Sequence, residues 1–529
     1  MLVTGYWAEP FLDRERTRVF SPTLDSMIDK DDPVRLVDEI LAEIDWSDWE
    51  AEYNGHRGQP PIHPRYIAGA ILYGMYRGIR SSRKLEEACH YRFDFIWLVE
   101  GRHIDHSTFA TFRTKFREPL KDLFRQIGRI AMALGLIRLG EVGFDGTRVK
   151  ANNSRYKTLT AKTLEEKLQA LDTLFEQMMA ELRANDDQQA GPDSPTHLPP
   201  AVADLQQRRG QVQAALDQAR TADQMRRRQG VNPEKNPAQV PTTDPDSKVM
   251  PNKEGGYAPN YTPVVTTDSQ CGFIVHCDVL NEVNETAAAA EAVDRIEETF
   301  GQKPKKFLTD GGNNSGAVMQ QMEDRDVEFY APVESNQPQK DSPANRADPT
   351  HAVPESEWSK LKRNPQGQLD KSCFVYSPEE DQYYCPQGHP LPFDESKSEK
   401  RRGVRVGVRV YRCEACGGCP LAAACLSRQS KRTSRTIRRD EYEPLRERTA
   451  ARMATPAGRE VYRQRPRIAE TPFGILKAVM GIRQFLLRGL EKVKTEWLWA
   501  VTAFNVAKLA RLMAILRAER APLARGAEA

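Results

Sequence analysis

The chain has 529 residues, with 77 Lys and Arg against 74 Asp and Glu and a formal net charge of +3. That length implies more than one domain and allows a sizeable core, while the near balance of charge excludes a uniformly basic nucleic-acid coat, so charged partners must be sought in local clusters. Met1 to Tyr6 lacks a basic region followed by an apolar run, so no signal peptide is expected. The apolar stretch Trp497 to Leu516 is interrupted by Asn505, Lys508 and Arg511, which predicts a buried or amphipathic helix rather than a membrane span. With nine cysteines and no secretion signal, a cytoplasmic, reducing setting is expected, in which clustered cysteines read first as metal ligands.

Residues 1–138 read as a helical N-terminal domain. Pro33 to Leu41 has helical spacing of apolar residues, and Tyr66 to Tyr76 is apolar and small. A glycine turn at Gly78 leads to Ser81 or Ser82 as an N-cap, with Arg77, Arg80, Arg83 and Lys84 around it. Such a helix–turn–helix suits DNA binding, although an ordinary helical hairpin with a solvated basic turn has the same composition. One long helix is predicted from Ser107 to Leu134, capped by Asp105 to Thr108 and carrying Arg113 and Arg117.

Residues 139–335 change character. Glu141 to Val149 is a short apolar strand that carries Asp145 and then a turn glycine; Lys306 to Gly312 repeats the pattern with Asp310. An Asp–Gly pair alone makes a turn. Two such pairs, with Glu470 later at the head of a helical stretch, point to one shared site, because carboxylates leaving rigid strands into open space are well placed to hold metal. Lys150, Asn152, Asn153 and Arg155 follow Asp145 and either approach phosphates or form a polar loop. Leu164, Leu168, Leu171, Phe175, Met178 and Leu182 alternate spacings of four and three, and Leu205, Val212, Leu216 and Ala219 resume helical spacing, so 160–228 reads as an inserted helical hairpin broken by the Pro-rich run Gly191 to Pro200. Strands at Tyr261 to Thr267 and Phe273 to Leu280, a helix from Thr286, a strand at Lys306, a helix from Ser315 and a strand at Val327 complete a mixed sheet with helices.

Residues 336–455 read as a basic, cysteine-rich insertion. Lys400 to Arg439 holds twelve Lys or Arg and one acidic residue, Glu414, a one-sided run that favours nucleic acid, with Arg432, Arg435, Arg438 and Arg439 as a backbone clamp. Cys385, Cys416, Cys419 and Cys425 are the chosen tetrahedral zinc ligands, with Cys413 and His389 as alternatives, while Cys89, Cys271, Cys277 and Cys373 read as core or incidental thiols. Residues 456–520 are predicted helices carrying Glu470. Three carboxylates suit two hard cations, Mg²⁺ or Mn²⁺.

The chain resembles DDE transposases of bacterial insertion sequences, most closely the insertion sequence 1182 family. The resemblance rests on Pro61 to Pro64, Tyr73 to Arg83, Asp105 to Thr108 with Phe112 and Arg113, Phe144 to Thr147 with Asn152, Leu308 to Gly312, the cysteine cluster with Cys419–Pro420, Glu470 to Gly474 and Arg483 to Leu490. It implies a ribonuclease H-like α/β core, with an all-α N-terminal domain, the inserted hairpin and a zinc-binding subdomain. It implies Asp145, Asp310 and Glu470 as the catalytic, metal-binding triad, and Tyr462, Arg465 and Lys477 as an accompanying motif. Four residues separate Arg465 from Glu470 where the common signature has three. The implied partners are double-stranded DNA, at element ends and target, and further copies of the chain; no membrane is implied. The expected activity is cleavage at terminal inverted repeats and joining of 3′ hydroxyls to target DNA. The competing reading, a transposase-derived DNA-binding protein without chemistry, has no need of all three carboxylates.

Overall fold

The indole of Trp49 is fully buried and stacks on Phe112 with ring centroids 5.2 Å apart, with Phe116 and Trp499 tilted against it. These rings come from chain segments that only burial of apolar surface brings together. The computed structural model describes residues 23–53, 61–154, 157–188, 200–228, 230–252, 255–283, 285–333, 336–401, 404–426 and 433–525. It divides into two compact units, Met1–Gly135 with Arg148–Pro263 and Gly474–Ala529, and Leu136–Thr147 with Val264–Phe473. This division does not follow the four chain segments read from the sequence: the helical hairpin groups with the N-terminal and C-terminal helices.

In the first unit the helices Pro33–Ala42, Pro64–Tyr76 and Arg117–Ala133 pack on the long helix Leu490–Arg525. That helix is long and apolar enough to cross a membrane, with a mean hydropathy of 1.4 over its apolar window, but 61% of that window is buried in the protein, as in a core helix. Asp32 caps the first helix through Val34 N–H, and Asp105 caps His106–Lys115 through Thr108 N–H. The single helix expected from Ser107 to Leu134 is two, His106–Lys115 and Arg117–Ala133. Phe116, at φ −98° and ψ 57°, leaves helical space between them, and its buried ring packs against Trp49, Tyr53 and Phe112. Pro119 accounts for the break: it has no N–H to donate to the Lys115 carbonyl and its ring would clash with it, so it fits only the first turn of a new helix.

The hairpin helices are Ala161–Gln188 and Pro200–Arg228. Leu164, Ala215, Leu216 and Ala219 form their core with Leu168 and Val212 against it. Most of the expected break, Gly191 to Pro199, lies outside the described residues.

The second unit holds a mixed sheet. Its middle strand β1, Glu141–Gly146, runs antiparallel to the end of β2, Tyr257–Asp268, with Asp145 opposite Val265. β3, Ile274–Leu280, pairs with β2; β4, Lys306–Leu308, is parallel to β1; β5, Glu328–Tyr330, is parallel to β4. The order is β3-β2-β1-β4-β5. Val142 and Phe144 alternate with Asp145 along β1, and Phe144 stacks on Phe307 with centroids 5.6 Å apart. Helices Ala288–Phe300, Gly316–Glu323 and Glu443–Ala454 accompany this sheet. Between β5 and Glu443 lie two three-stranded sheets, Val375–Ser377 with Gln382–Tyr384 and Pro390–Leu391, and Phe393–Arg401 with Val404–Arg412 and Thr436–Asp440. Phe374, Tyr383, Leu391, Tyr411 and Ile437 share a core with five cysteines, Cys373, Cys385, Cys413, Cys416 and Cys425.

Candidate active site and cysteine cluster

Asp145 sits near the C-terminal end of the buried strand β1, where its own backbone leaves the sheet; Oδ1 accepts from Gly146 N–H at 2.9 Å. The strand lies close against the helix Arg465–Ala469, an approach that Gly143 permits: a Cβ there would meet Ile468 Cγ2 at 2.8 Å and Ala469 Cβ at 3.2 Å. Glu470 closes that helix as its C-cap and Arg465 opens it. The Arg465 guanidinium spans the two carboxylates, Nη2 standing 3.3 Å from Asp145 Oδ1 and Nη1 donating to Glu470 Oε1 at 3.0 Å. The Arg465 and Asp145 side chains are 10% and 11% exposed, whereas Glu470 is 58% exposed. The extra residue between Arg465 and Glu470 does not prevent their pairing; the short helix brings its two ends together.

Asp310 follows β4. It caps the turn Gly311–Asn313, accepting from Gly312 N–H at 2.9 Å and from the Asn313 amide at 3.3 Å. Tyr462, on the helix Pro456–Arg463, donates its hydroxyl to the carbonyl of the neighbouring Thr309 at 3.3 Å. Burial raises the Tyr462 phenol, and the charges of Arg465, Asp310, Asp145 and Glu470 all act on it. Among the described residues no three His, Cys, Asp or Glu side chains are arranged to hold a metal ion. At this site a guanidinium touches two of the three carboxylates.

Lys477 lies in a π-helical turn, Ile475–Val479, after the short α-helix Thr471–Gly474. The regular spacing that would align Glu470, Phe473 and Lys477 on one face is thus interrupted. Lys477 Nζ donates to the Arg148 carbonyl at 2.8 Å. A carboxylate that sequence reading missed is Glu285, which lies directly against Gly146 and leaves no room for a side chain there. Glycine after Asp145 was visible in the sequence, but nothing in it named the neighbour.

The cysteines do gather. Cys385, Cys413, Cys416, Cys419 and Cys425, with His389, line one cavity of about 20 Å³, and Cys373 is buried nearby in the same core. A hydrogen bond from Cys413 lowers the Cys385 thiol and raises that of Cys413, while burial pushes Cys425 up to about 12. Among the described residues these thiols and His389 form no ready-made metal-ligand group, so the expected zinc set of Cys385, Cys416, Cys419 and Cys425 is not shown. Cys89 is buried in the helix Ser82–Tyr91, with its thiol pushed up to about 12 by burial.

The basic residues divide. Arg80, just before the helix Ser82–Tyr91, has a largely enclosed side chain that donates to the carbonyls of Gly481 and Gln484 and pairs with Glu496. Arg113 donates to the Arg80 carbonyl, and burial pushes its guanidinium down to about 10. Arg435 donates to the carbonyls of Cys425 and Leu369, and Arg439 pairs with Glu447 beneath Tyr376. These four hold the fold together rather than presenting charge to solvent. Arg83, Lys84 and Lys150 are exposed, and Arg438 is half exposed and paired with Glu399 at 2.8 Å. Arg432 lies outside the described residues.

The Transposase DDE domain family matches residues 384–510, a span that contains the cysteine cluster, Tyr462, Arg465, Glu470 and Lys477 and leaves out Asp145 and Asp310. The Transposase domain (DUF772) family matches residues 22–115, the helical N-terminal region. Among curated proteins none matches the chain. The two family matches support a DDE transposase, an enzyme of metal-dependent DNA cleavage and transfer.

Proposed function

We propose that this chain is a transposase of the insertion sequence 1182 family, and that Asp145, Asp310 and Glu470 hold a pair of divalent cations, Mg²⁺ or Mn²⁺, at which DNA is cut at element ends and joined to a target. The observation that carries the reading is the Arg465 bridge: one cationic group touches Asp145 and Glu470, residues from distant parts of the chain. A cation already stands where the metal reading needs one, and hard carboxylate oxygens suit Mg²⁺ or Mn²⁺. The strand order β3-β2-β1-β4-β5, with Asp145 on the middle strand and Asp310 just after its parallel neighbour, favours a ribonuclease H-like core.

Held by Asp145, Asp310 and Glu470, a metal pair would supply the acidity of the attacking water or 3′ hydroxyl and the charge that stabilises the departing oxygen. The chain supplies position. β1 and β4 fix two carboxylates on rigid strand ends, and the helix Arg465–Ala469 sets the third against them. Tyr462 stands by Thr309 with a hydroxyl able to meet a phosphate oxygen. Residues 1–138 serve as the end-binding domain, 139–335 and 456–520 as the catalytic core, and 336–455 as an insertion that follows the DNA. Arg83, Lys84, Lys150 and Arg438 are the exposed cations suited to phosphates. The chain works beside the chromosome as a dimer or larger assembly, since two ends must be joined. Within the insertion, five thiols and His389 around one small cavity favour a structural zinc that draws its ligands in as they lose protons; elemental analysis of purified protein would find about one zinc per chain.

The test is cleavage of a labelled duplex ending in the terminal repeat, with Mg²⁺. Asp145→Asn, Asp310→Asn and Glu470→Gln each abolish cutting while leaving the duplex bound, because affinity comes mainly from basic contacts. Near-normal cutting by any one of them removes that residue from the triad.

A further inference from the structure

Arg465 occupies an uncommon position. Its guanidinium is enclosed, it touches Asp145 with one terminal nitrogen and Glu470 with the other, and its Nε is buried without a hydrogen-bond partner. Nε of Arg113 and of Arg435, which bind backbone carbonyls, is orphaned in the same way, so what sets Arg465 apart is that its two terminal nitrogens face two acids. The two acidic partners also differ: Asp145 is almost enclosed, whereas Glu470 is 58% exposed and so held mainly by this contact.

We propose that Arg465 is a resident counter-cation that competes with the divalent metal for Asp145 and Glu470, and that metal loading releases its guanidinium toward the phosphate of the substrate strand. This deepens the metal reading given above and rests on it. The geometry of the bridge favours competition over bracing. Asp145 Oδ1, an oxygen the metal would need, is the atom that faces Arg465 Nη2, and Glu470 Oε1 is held by Nη1. Without a counter-charge, like charges gathered in a poorly hydrated site repel, and Arg465 relieves that repulsion until metal replaces it.

The two roles predict opposite signs. A bracing arginine keeps the carboxylates in place, so its loss weakens metal binding. A competing arginine excludes metal, so its loss strengthens it. The experiment is Mn²⁺ titration of the full-length protein without DNA, by calorimetry and by Mn²⁺ electron paramagnetic resonance, for the parent, Arg465→Gln, Arg465→Lys, Asp145→Asn and Glu470→Gln. Arg465→Gln should bind Mn²⁺ roughly tenfold more tightly than the parent, the worth of one charge-assisted hydrogen bond. Arg465→Lys, which keeps the charge but loses the two-pronged contact, should fall between them. Arg465→Gln should also unfold at lower temperature without metal and gain more from Mn²⁺ than the parent does. Unchanged or weaker Mn²⁺ binding by Arg465→Gln overturns the proposal, and if that variant fails to fold, parent-like or weaker binding by Arg465→Lys overturns it. Loss of Mn²⁺ binding in Asp145→Asn and Glu470→Gln upholds the metal site independently; if both bind as the parent does, it is the underlying metal reading that falls.

Discussion

Arg80 Nη2 stands 2.7 Å from Glu496 Oε1, with the two side chains only 12% and 7% exposed. Glu496 also accepts from the backbone N–H groups of Leu486 and Leu487, and Arg80 donates to two carbonyls of the same segment. Removing the arginine leaves a buried carboxylate without its counter-charge. Arg80→Ala should therefore cost about 3–5 kcal/mol of stability, read by denaturant or thermal unfolding, and should weaken binding to all DNA through loss of folded protein. Arg83→Gln with Lys84→Gln should change stability by less than about 0.5 kcal/mol, because both are exposed. If those two read the element end, their loss narrows the affinity gap between terminal-repeat and random DNA; an unchanged gap would place end recognition elsewhere.

Neighbouring arginines in the strand Thr436–Asp440 should respond in opposite ways. Arg439 is buried against Glu447, Tyr383 and Tyr376. Arg439→Gln should lower stability by about 2 kcal/mol, the scale of a charge-assisted hydrogen-bond pair, without altering the salt dependence of DNA binding by the protein that stays folded. Arg438→Gln should leave stability nearly unchanged and reduce the salt slope by about one if that residue meets a phosphate. An unchanged slope would mean that this strand faces solvent rather than DNA.

The same strand shows where sequence reading succeeds and where it stops. The strands bearing Asp145 and Asp310, the hairpin helices and the gathering of the clustered thiols were all legible, because each depends on local periodicity or close spacing. The charge of Lys400 to Arg439 was not. Its one-sidedness holds only along the chain: in space Arg409 pairs with Asp381, Arg412 with Asp394, Arg438 with Glu399 and Arg439 with Glu447, all acids outside or at the edge of that run. Arg80 and Arg113 misled for the same reason, since a basic turn in sequence carries no sign of the carbonyls and the carboxylate that will surround it. Residues whose meaning is set by a partner hundreds of positions away cannot be read locally.

Asp244 offers a pH test. It is fully buried, its Oδ1 accepts from the Tyr261 hydroxyl at 2.7 Å and from Gly489 N–H at 3.0 Å, and its Oδ2 has no hydrogen-bond partner. Burial raises its carboxyl above the usual 3.8, against the opposing pull of those two donors. A raised folded-state pKa means that the group's contribution to stability is fully present below the unfolded value and is lost as pH rises through the folded value. Asp244→Asn keeps the Oδ1 acceptor and removes the ionisation. Across pH 4 to 7 the parent should therefore lose stability relative to this variant, and the difference between the two unfolding curves should stop changing once pH passes the folded pKa. Parallel curves over that range would mean that Asp244 is not penalised by its burial.

Gly143 sets the distance between β1 and the helix that carries Arg465 and Glu470 at its ends. A methyl group there would sit 2.8 Å from Ile468 Cγ2 and 3.2 Å from Ala469 N, so backbone as well as side chain would have to give way. The helix would move outward and take Glu470 with it, while Asp145, fixed by the sheet, would stay. Gly143→Ala should cost about 1–3 kcal/mol of stability through overpacking. The larger effect should fall on chemistry: a misplacement of about 1 Å between reacting groups lowers the rate by as much as about 100-fold. Gly140→Ala is the control, since a Cβ at Gly140 meets nothing within 4 Å. The comparison is made under conditions where both variants are folded, with single-turnover cleavage of a pre-bound labelled end as the readout, so that binding and stability do not enter. Cleavage by Gly143→Ala at the rate of the Gly140→Ala control would mean that the strand–helix spacing does not set the carboxylate geometry, and the site would have to be assembled by movement of Glu470 when DNA binds.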